Sequence, residues 1–336
     1  MKKIFKIVVS LFLLLLVLII VNLINTQTTV NNKKFIVNSG DDFLLIANNL
    51  KKEEIIKDKN IFIVYAYFNG DYKNIKPGEY IFNGKYNISQ VILMLKNNLG
   101  ISVTIPEGFN IFQIENELIQ KGIINNKFEL VNYTISNLEN KFDKYPFLKN
   151  IDKNINLEGF LYPNTYYFLK NTSINDVVGV FLDNFKKEIY EKVKNDVGNI
   201  YEKLILASLV EKEVYHKNDI PNVVSVIQNR ISHNMLLQID ATLCYIKMEN
   251  NYINNKDIEC GQLTNVDKKL ESSYNTYMNK GMILSPICNV NYITFKEVMR
   301  NINTDYLYYI TDPETKNTIF AKTLEEHNKN IQKYLK

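Results

Sequence analysis

The segment 204–214, LILASLVEKEV, constrains this chain most, because it sets acidic residues at the end of a pattern that otherwise has to be buried. Leu206, Leu209, Val210 and Glu213 recur at helical spacing and share one stripe. Glu213 therefore continues an apolar face. Glu211 lies about 200° of rotation away, at about 100° per residue, and falls with Leu204, Ala207, Ser208 and Tyr215 on a more mixed stripe. A carboxyl group on an apolar face loses hydration, which raises its pKa, and an acid still protonated near neutral pH can give its proton to a leaving group. Glu213 is thus a candidate general acid and Glu211 the poorer one. The competing reading makes Glu213 an ordinary helix-end residue turned to solvent.

The chain has 336 residues, enough for two domains with sizeable cores. Its 40 basic and 36 acidic residues nearly balance, and no basic cluster is interleaved with aromatics, so nucleic acid is not an expected partner. Arg230 and Arg300 are the only arginines, and each offers a planar fork that lysine lacks. Cys244, Cys260 and Cys288 form no C-x-x-C and no zinc spacing; an odd number is no disulfide framework, and whether Cys244 and Cys260 pair stays open. His216, His233 and His327 are scattered, outside any H-E-x-x-H or Ser/His/Asp pattern. Neither a metal nor an organic cofactor is indicated.

Residues 7–24 are apolar except for Ser10 and Asn22. Eighteen residues at 1.5 Å each reach about 27 Å, close to the ~30 Å hydrocarbon core of a bilayer. Lys2, Lys3 and Lys6 precede the run and predict a cytoplasmic start. The alternative is a cleaved signal peptide, but Asn25-Thr26-Gln27-Thr28 lacks a small-x-small cleavage site, which favours a retained single-pass anchor in the cell (inner) membrane. Everything after about Thr29 then lies outside the cytoplasm, facing envelope substrates.

An internal repeat follows the anchor. Val37, Gly40, Ile46, Leu50, Ile55, Ile56 and Lys59 recur as Ile105, Gly108, Ile114, Leu118, Ile123, Ile124 and Lys127, at an offset of 68 throughout. Each copy reads as a short strand, a glycine turn, an amphipathic helix and the start of a second helix. Between the copies a strand is expected over 80–82, then a helix over 90–97 with Ser89 as its N-cap. Strand, helix, helix with an early glycine resembles LysM-type modules, which bind glycan chains.

Residues 155–169, INLEGFLYPNTYYFL, are dense in aromatics; Tyr162, Tyr166, Tyr167 and Phe168 form either a carbohydrate platform or core packing. A long amphipathic helix is expected over 172–197, and another over 220–232 with Pro221 near its start. Residues 236–242 read as extended, with Gln238, Asp240 and Thr242 on one face. A polar loop spans 250–271, a hairpin turns around Asp312-Pro313, and Thr323 with Glu326 makes a capping box for the last helix.

ILASLVEKEV, SVIQNRI, LQIDAT, SSYNTY, SPICN, DYLYYITD and FAKTLEEHN, preceded by IPEG and LEGFLYPNTY, occur in an order that resembles the endolytic murein transglycosylase (YceG-like) family. The resemblance runs from the anchor to the C-terminus. It implies an α+β chain: cytoplasmic start and transmembrane helix over 1–28, a LysM-like module over 29–100, a second LysM-like repeat over 101–155, and a mixed α/β catalytic domain with a catalytic helix over 156–336. It implies a lytic transglycosylase, which cleaves MurNAc-β-1,4-GlcNAc bonds in nascent glycan strands, leaves 1,6-anhydro-MurNAc ends and terminates elongation during cell-wall assembly. Its partners are peptidoglycan glycan strands, the cytoplasmic membrane and peptidoglycan synthases. The second acid of the family's E-K-E motif, the catalytic one, maps to Glu213.

The candidates for holding glycan and peptide are Glu158, Tyr162, Asn229, Arg230, Gln238, Asp240, Thr242, Tyr274, Asn275 and Thr276; local capping and core hydrogen bonding is their competing role. The sequence departs from the family at Asn164 for Asp, Ile239 for Ser and Ala241 for Pro, and in 281–287, where two prolines and a glycine are missing; Glu213 is untouched. Two other readings stand beside this one. A hydrolase would use Asp240 or Glu158 as its second carboxylate, and a glycan-binding scaffold would recruit synthases without catalysis.

Overall fold

Alternation in two strands sets the first core. Phe35 and Val37 in β1 (Thr28–Val37) and Tyr80 and Phe82 in β2 (Gly78–Tyr86) are buried, while Ile36 and Ile81 between them are exposed. The strands pair antiparallel, Phe35 opposite Tyr80, with one face dry and one wet. Helices α1 (Phe43–Lys52), α2 (Lys59–Phe68) and α3 (Ile88–Asn97) add Ile46, Leu50, Phe62, Val91 and Leu95 to the same core. Asp58 starts α2 by accepting from the N–H groups of Asn60 and Ile61. At α3 the cap is Asn87 and not Ser89: the Asn87 Oδ1 accepts from the Gln90 N–H at 2.9 Å, and the Gln90 Oε1 accepts from the Asn87 N–H at 3.0 Å.

These elements come from a computed structural model that describes residues 21–37, 40–97, 101–168, 170–195, 198–300 and 302–335, apart from the side chains of residues 32, 83 and 167. Most of the expected membrane anchor, residues 7–20, lies outside the described residues. Among those described, no helix is long and apolar enough to cross a membrane.

The repeat is visible in the element boundaries. β3 (Ile101–Ile105) ends and α4 (Ile111–Gln120) begins and ends 68 residues after β1 and α1, and Gly40 and Gly108 both take left-handed φ, 86° and 74°. The expected second helix of the later copy does not form. Phe128 turns left-handed at φ 70°, and the carboxylate of buried Glu115 accepts the N–H groups of Phe128, Leu130 and Val131. The earlier copy has Ala47 at the matching position and cannot pin its chain this way.

β3 pairs with β4 (Asn164–Phe168). By compactness the chain divides into one unit that runs to Val103 and adds Lys121–Ile124 and Tyr166–Val177, and a larger unit of Thr104–Gln120, Asn125–Thr165 and Val178–Lys336. The helix expected over 172–197 is α5 (Ile174–Phe185), continued by a π-helical turn, Lys186–Tyr190. The larger unit carries α6 (Ile200–Glu213), α7 (Ile220–Ser232), α8 (Asp240–Ile253) and α9 (Tyr292–Val298). It ends in the hairpin β5 (Tyr308–Thr311) and β6 (Thr318–Ala321), then α10 (Leu324–Tyr334), capped by Thr323 and Glu326 as expected.

In α6, residues Leu204, Ile205, Leu206, Ala207, Ser208, Leu209 and Val210 are all buried. The helix is enclosed on every side, not amphipathic, so the two-stripe expectation does not describe it. A polar node holds the chain beside it. The Glu158 carboxylate accepts from the Ile111 N–H and from the Asn289 amide, both at 2.8 Å, while the Asn289 side chain also accepts the Leu161 N–H at 2.8 Å. Gly159, next to it, has φ 89°, and a Cβ there would stand 2.6 Å from the Pro286 Cγ. Gly159→Ala is therefore expected to destabilise the chain by about 1–3 kcal/mol, read as a lowered thermal midpoint; an unchanged midpoint would contradict this packing.

Candidate active site

Helix α6 ends where its last turn leaves the core. Val214 turns to an extended backbone and Glu213 is half-buried, behind seven consecutive buried residues. The Tyr309 hydroxyl, from β5, donates to the Glu213 Oε2 at 3.0 Å, and the Ala241 N–H, in the first turn of α8, donates to the same carboxylate. Burial pushes the Glu213 pKa up; these two donors pull it down, and the nearby Asp240 charge adds to the rise. Among the described residues Glu213 makes no ion pair.

Glu211, the poorer candidate on the more mixed stripe, is also enclosed. Its side chain is only 6 % exposed, and burial pushes its pKa up too. The two glutamates differ in their partners. Glu211 lies 3.6 Å from the Lys217 ammonium, which is also 3.7 Å from Glu107 and donates to the Thr294 hydroxyl at 3.0 Å. Glu211 thus has a cation to hold its charge, whereas Glu213 has neutral donors and an opening.

That opening is a cleft of about 330 Å³. Lys212 and Glu213 border it from α6, and α8 presents Asp240, Cys244 and Met248 at four-residue intervals along one face. Asp240 is exposed and stands at the N-terminus of α8, where the helix dipole favours a negative charge. The Tyr277 hydroxyl donates to its Oδ1 at 2.5 Å. Cys244 and Cys260 are joined as a disulfide at the cleft wall, with Cα atoms 4.7 Å apart, and Cys288 is buried and free.

Of the residues expected to hold substrate, only Asp240 joins Glu213 at the cleft. The extended run expected over 236–242 stops at Ile239, because Gln238 turns left-handed at φ 54° and α8 begins at Asp240. Gln238, Asp240 and Thr242 therefore do not share a strand face. Gln238 is exposed, and its N–H donates to the Thr276 carbonyl at 3.1 Å. Thr242 and Thr276 are buried; the Thr242 hydroxyl donates to the Ile239 carbonyl at 2.7 Å, and the Thr276 hydroxyl accepts the Ile239 N–H at 2.9 Å. The buried Asn275 amide donates to the carbonyls of Lys268 and Leu270, and that of Asn229 to the carbonyls of Thr304 and Tyr306. Arg230 donates to the Leu236, Leu237 and Leu307 carbonyls and lies 5.2 Å over the Tyr308 ring. These groups are spent on the chain's own backbone.

Glu158, 1 % exposed and pushed up to about 8 by burial, has its oxygens in the polar node. The Tyr274 hydroxyl bonds the Ser285 hydroxyl at 2.5 Å, and that of half-buried Tyr162 accepts the Tyr292 N–H. Tyr166 and Phe168 are buried, so they are core and not a platform; the side chain of Tyr167 lies outside the described residues. Sequence reasoning did not single out Tyr309 or Tyr277, and it left open the Cys244–Cys260 pairing that the structure shows. Strand alternation separates Tyr309 from Tyr308, but no spacing says which helix end either meets. Among the described residues no group of three or more His, Cys, Asp or Glu side chains could hold a metal ion.

Known proteins share this architecture. The YceG-like family model matches residues 35–333. A Bacillus subtilis protein named endolytic murein transglycosylase is 29 % identical over 299 residues, which cover 85 % of this chain and 80 % of that protein. A Streptococcus pneumoniae protein of the same name is 24 % identical over 309 residues; the match covers 85 % of this chain but 55 % of the relative, so the chain spans about half its length. A 2.6 Å crystal structure of a Listeria monocytogenes protein described as YceG-like superposes with a TM-score of 0.56 at 26 % identity, covering 89 % of this chain and 99 % of that one.

The contrast between the two glutamates can be measured. Lys217→Met leaves the buried Glu211 without its cation, so its folded-state pKa rises further. The folded state then holds the Glu211 proton over a wider range, and stability falls as pH rises through that range. The variant is expected to lose about 1–2 kcal/mol at pH 8, discounting for the half-exposed lysine, and much less at pH 5, by chemical denaturation at both values. Equal losses at the two pH values would contradict the pairing.

Proposed function

Because the chain belongs to the YceG-like family, we propose that it is a lytic transglycosylase that cleaves the β-1,4 bond from MurNAc to GlcNAc within nascent peptidoglycan strands, leaving 1,6-anhydro-MurNAc ends. The observation that carries this reading is the Glu213 carboxyl: desolvated, without a counter-cation among the described residues, held by the Tyr309 hydroxyl and the Ala241 N–H, and open to a cleft. Protonated Glu213 gives its proton to the leaving GlcNAc oxygen as the C1–O bond breaks. The 2-acetamido group of MurNAc assists at C1 in place of an enzyme nucleophile. The Glu213 carboxylate then takes the proton of the MurNAc O6 hydroxyl as that oxygen bonds to C1, closes the anhydro ring and restores the acid. One residue serves as acid and then base, as in retaining glycosidases. Asp240, braced by Tyr277, supplies negative charge beside Glu213.

On this reading the catalytic part works outside the cytoplasm, tethered by residues 7–24, beside the synthases whose strands it terminates. The Cys244–Cys260 disulfide supports that placement, since disulfides persist in oxidising compartments. The proximity of Asp240 to Glu213 also favours a second reading, hydrolysis with Asp240 activating water. Glu158 is a poor base for that role, being enclosed and hydrogen-bonded.

Digesting purified murein with the detergent-solubilised chain and weighing the products separates the readings. The proposal expects muropeptides with anhydro ends, one water lighter than the reducing ends that hydrolysis leaves. Glu213→Gln is expected to lower turnover by at least about 10²-fold while strand binding persists, and Glu211→Gln to stay active. Full activity in a purified Glu213→Gln variant would overturn the assignment, and reducing ends alone would favour hydrolysis.

A further inference from the structure

The polar excursion after α8 is anchored to it at several points. Residues 254–266 contain no helix or strand, yet Cys260 is cross-linked to Cys244. The Lys247 ammonium donates to the Gln262 carbonyl at 3.0 Å and lies 3.5 Å from the Asp267 carboxylate, and the Asn251 amide donates to the Glu259 carbonyl at 3.1 Å. Cys244, Lys247 and Asn251 follow one another at three- and four-residue steps, so a single stripe of α8 holds the middle of the excursion. Loops of this length without regular structure are commonly functional. This one is fastened at the place where the disulfide borders the cleft onto which Glu213 opens.

The wall so made is apolar and rich in sulfur. The cystine and the Met248 thioether lie along it, and the buried Asn110 amide donates to the Met248 Sδ at 3.1 Å, which fixes that side chain. Asp240 and Lys212 bring charge to the same cleft. A pyranose has the same two-sidedness, a C–H face and an N-acetyl methyl beside hydroxyl edges. Polarizable sulfur packs against such apolar groups, and sugar sites pair an apolar lining with a few polar groups.

The geometry points to the Cys244–Cys260 disulfide and Met248 as a substrate-positioning wall, which seats the apolar face of an N-acetylated sugar beside Glu213. This rests on the proposed activity and adds to it the role of the crosslink. The disulfide acts on sugar binding and not on proton transfer, so its loss reads in KM and not in kcat.

The test compares the full-length chain with its Cys244→Ser/Cys260→Ser variant on soluble, uncrosslinked glycan strands, after circular dichroism shows both folded. The wall predicts a KM raised about tenfold with kcat within about twofold, and the same loss of affinity when the pair is changed in the inactive Glu213→Gln background. Met248→Gln, which keeps the disulfide, is expected to raise KM in the same direction, and it decides the matter if the cysteine variant does not fold. Unchanged KM in the folded variants would overturn the wall while leaving the proposed activity intact. A wild-type chain that releases no anhydro ends would instead sink the activity itself.

Discussion

The site depends on keeping one carboxyl group poorly hydrated while giving it, among the described residues, neutral donors and no cation. Burial raises the Glu213 pKa, and the Tyr309 and Ala241 donors limit the rise without neutralising the charge that forms on ionisation. Much of the larger unit serves that balance. Helix α6 is buried over 204–210, so its last turn reaches the cleft directly from the core. The start of α8 delivers both the Ala241 N–H and Asp240, and the β5–β6 hairpin delivers Tyr309 from almost a hundred residues further along the chain. Glu211, two residues away and also desolvated, has the nearby Lys217 ammonium, and that difference in partners separates two otherwise similar acids.

Local signals carried well into the structure where local physics decides the outcome. The helix Ile220–Ser232, the hairpin around Asp312-Pro313, the Thr323–Glu326 capping box and the 68-residue repeat all rest on periodicity, turn chemistry or capping within a few residues. Local reasoning failed where a distant group intervened. The second helix of the later repeat gives way because Glu115, held in α4, takes the N–H groups of 128–131. The two stripes of α6 separate Glu213 from Glu211 by face, yet neither acid is fully exposed, because α7, α8 and α9 pack around the helix and bury all of 204–210. The Tyr309 contact and the cystine join segments whose separation no pattern encodes.

The polar residues that looked suited to sugar hydroxyls illustrate the same limit. Asn229, Arg230, Asn275, Thr242 and Thr276 spend their hydrogen bonds on backbone groups that irregular segments would otherwise leave unpaired. A donor that suits a glycan also suits a carbonyl, and composition does not tell them apart.

The most direct measurement is the protonation state of Glu213 itself. A 13C NMR titration of the chain labelled at glutamate side-chain carboxyls, with the Glu213 signal identified by its loss in the Glu213→Gln variant, reads that state without reference to turnover. The account predicts a midpoint clearly above the usual glutamate value of about 4.3. A midpoint at or below that value would mean that the carboxyl is ionised at neutral pH and has no proton to give, and the account would be wrong.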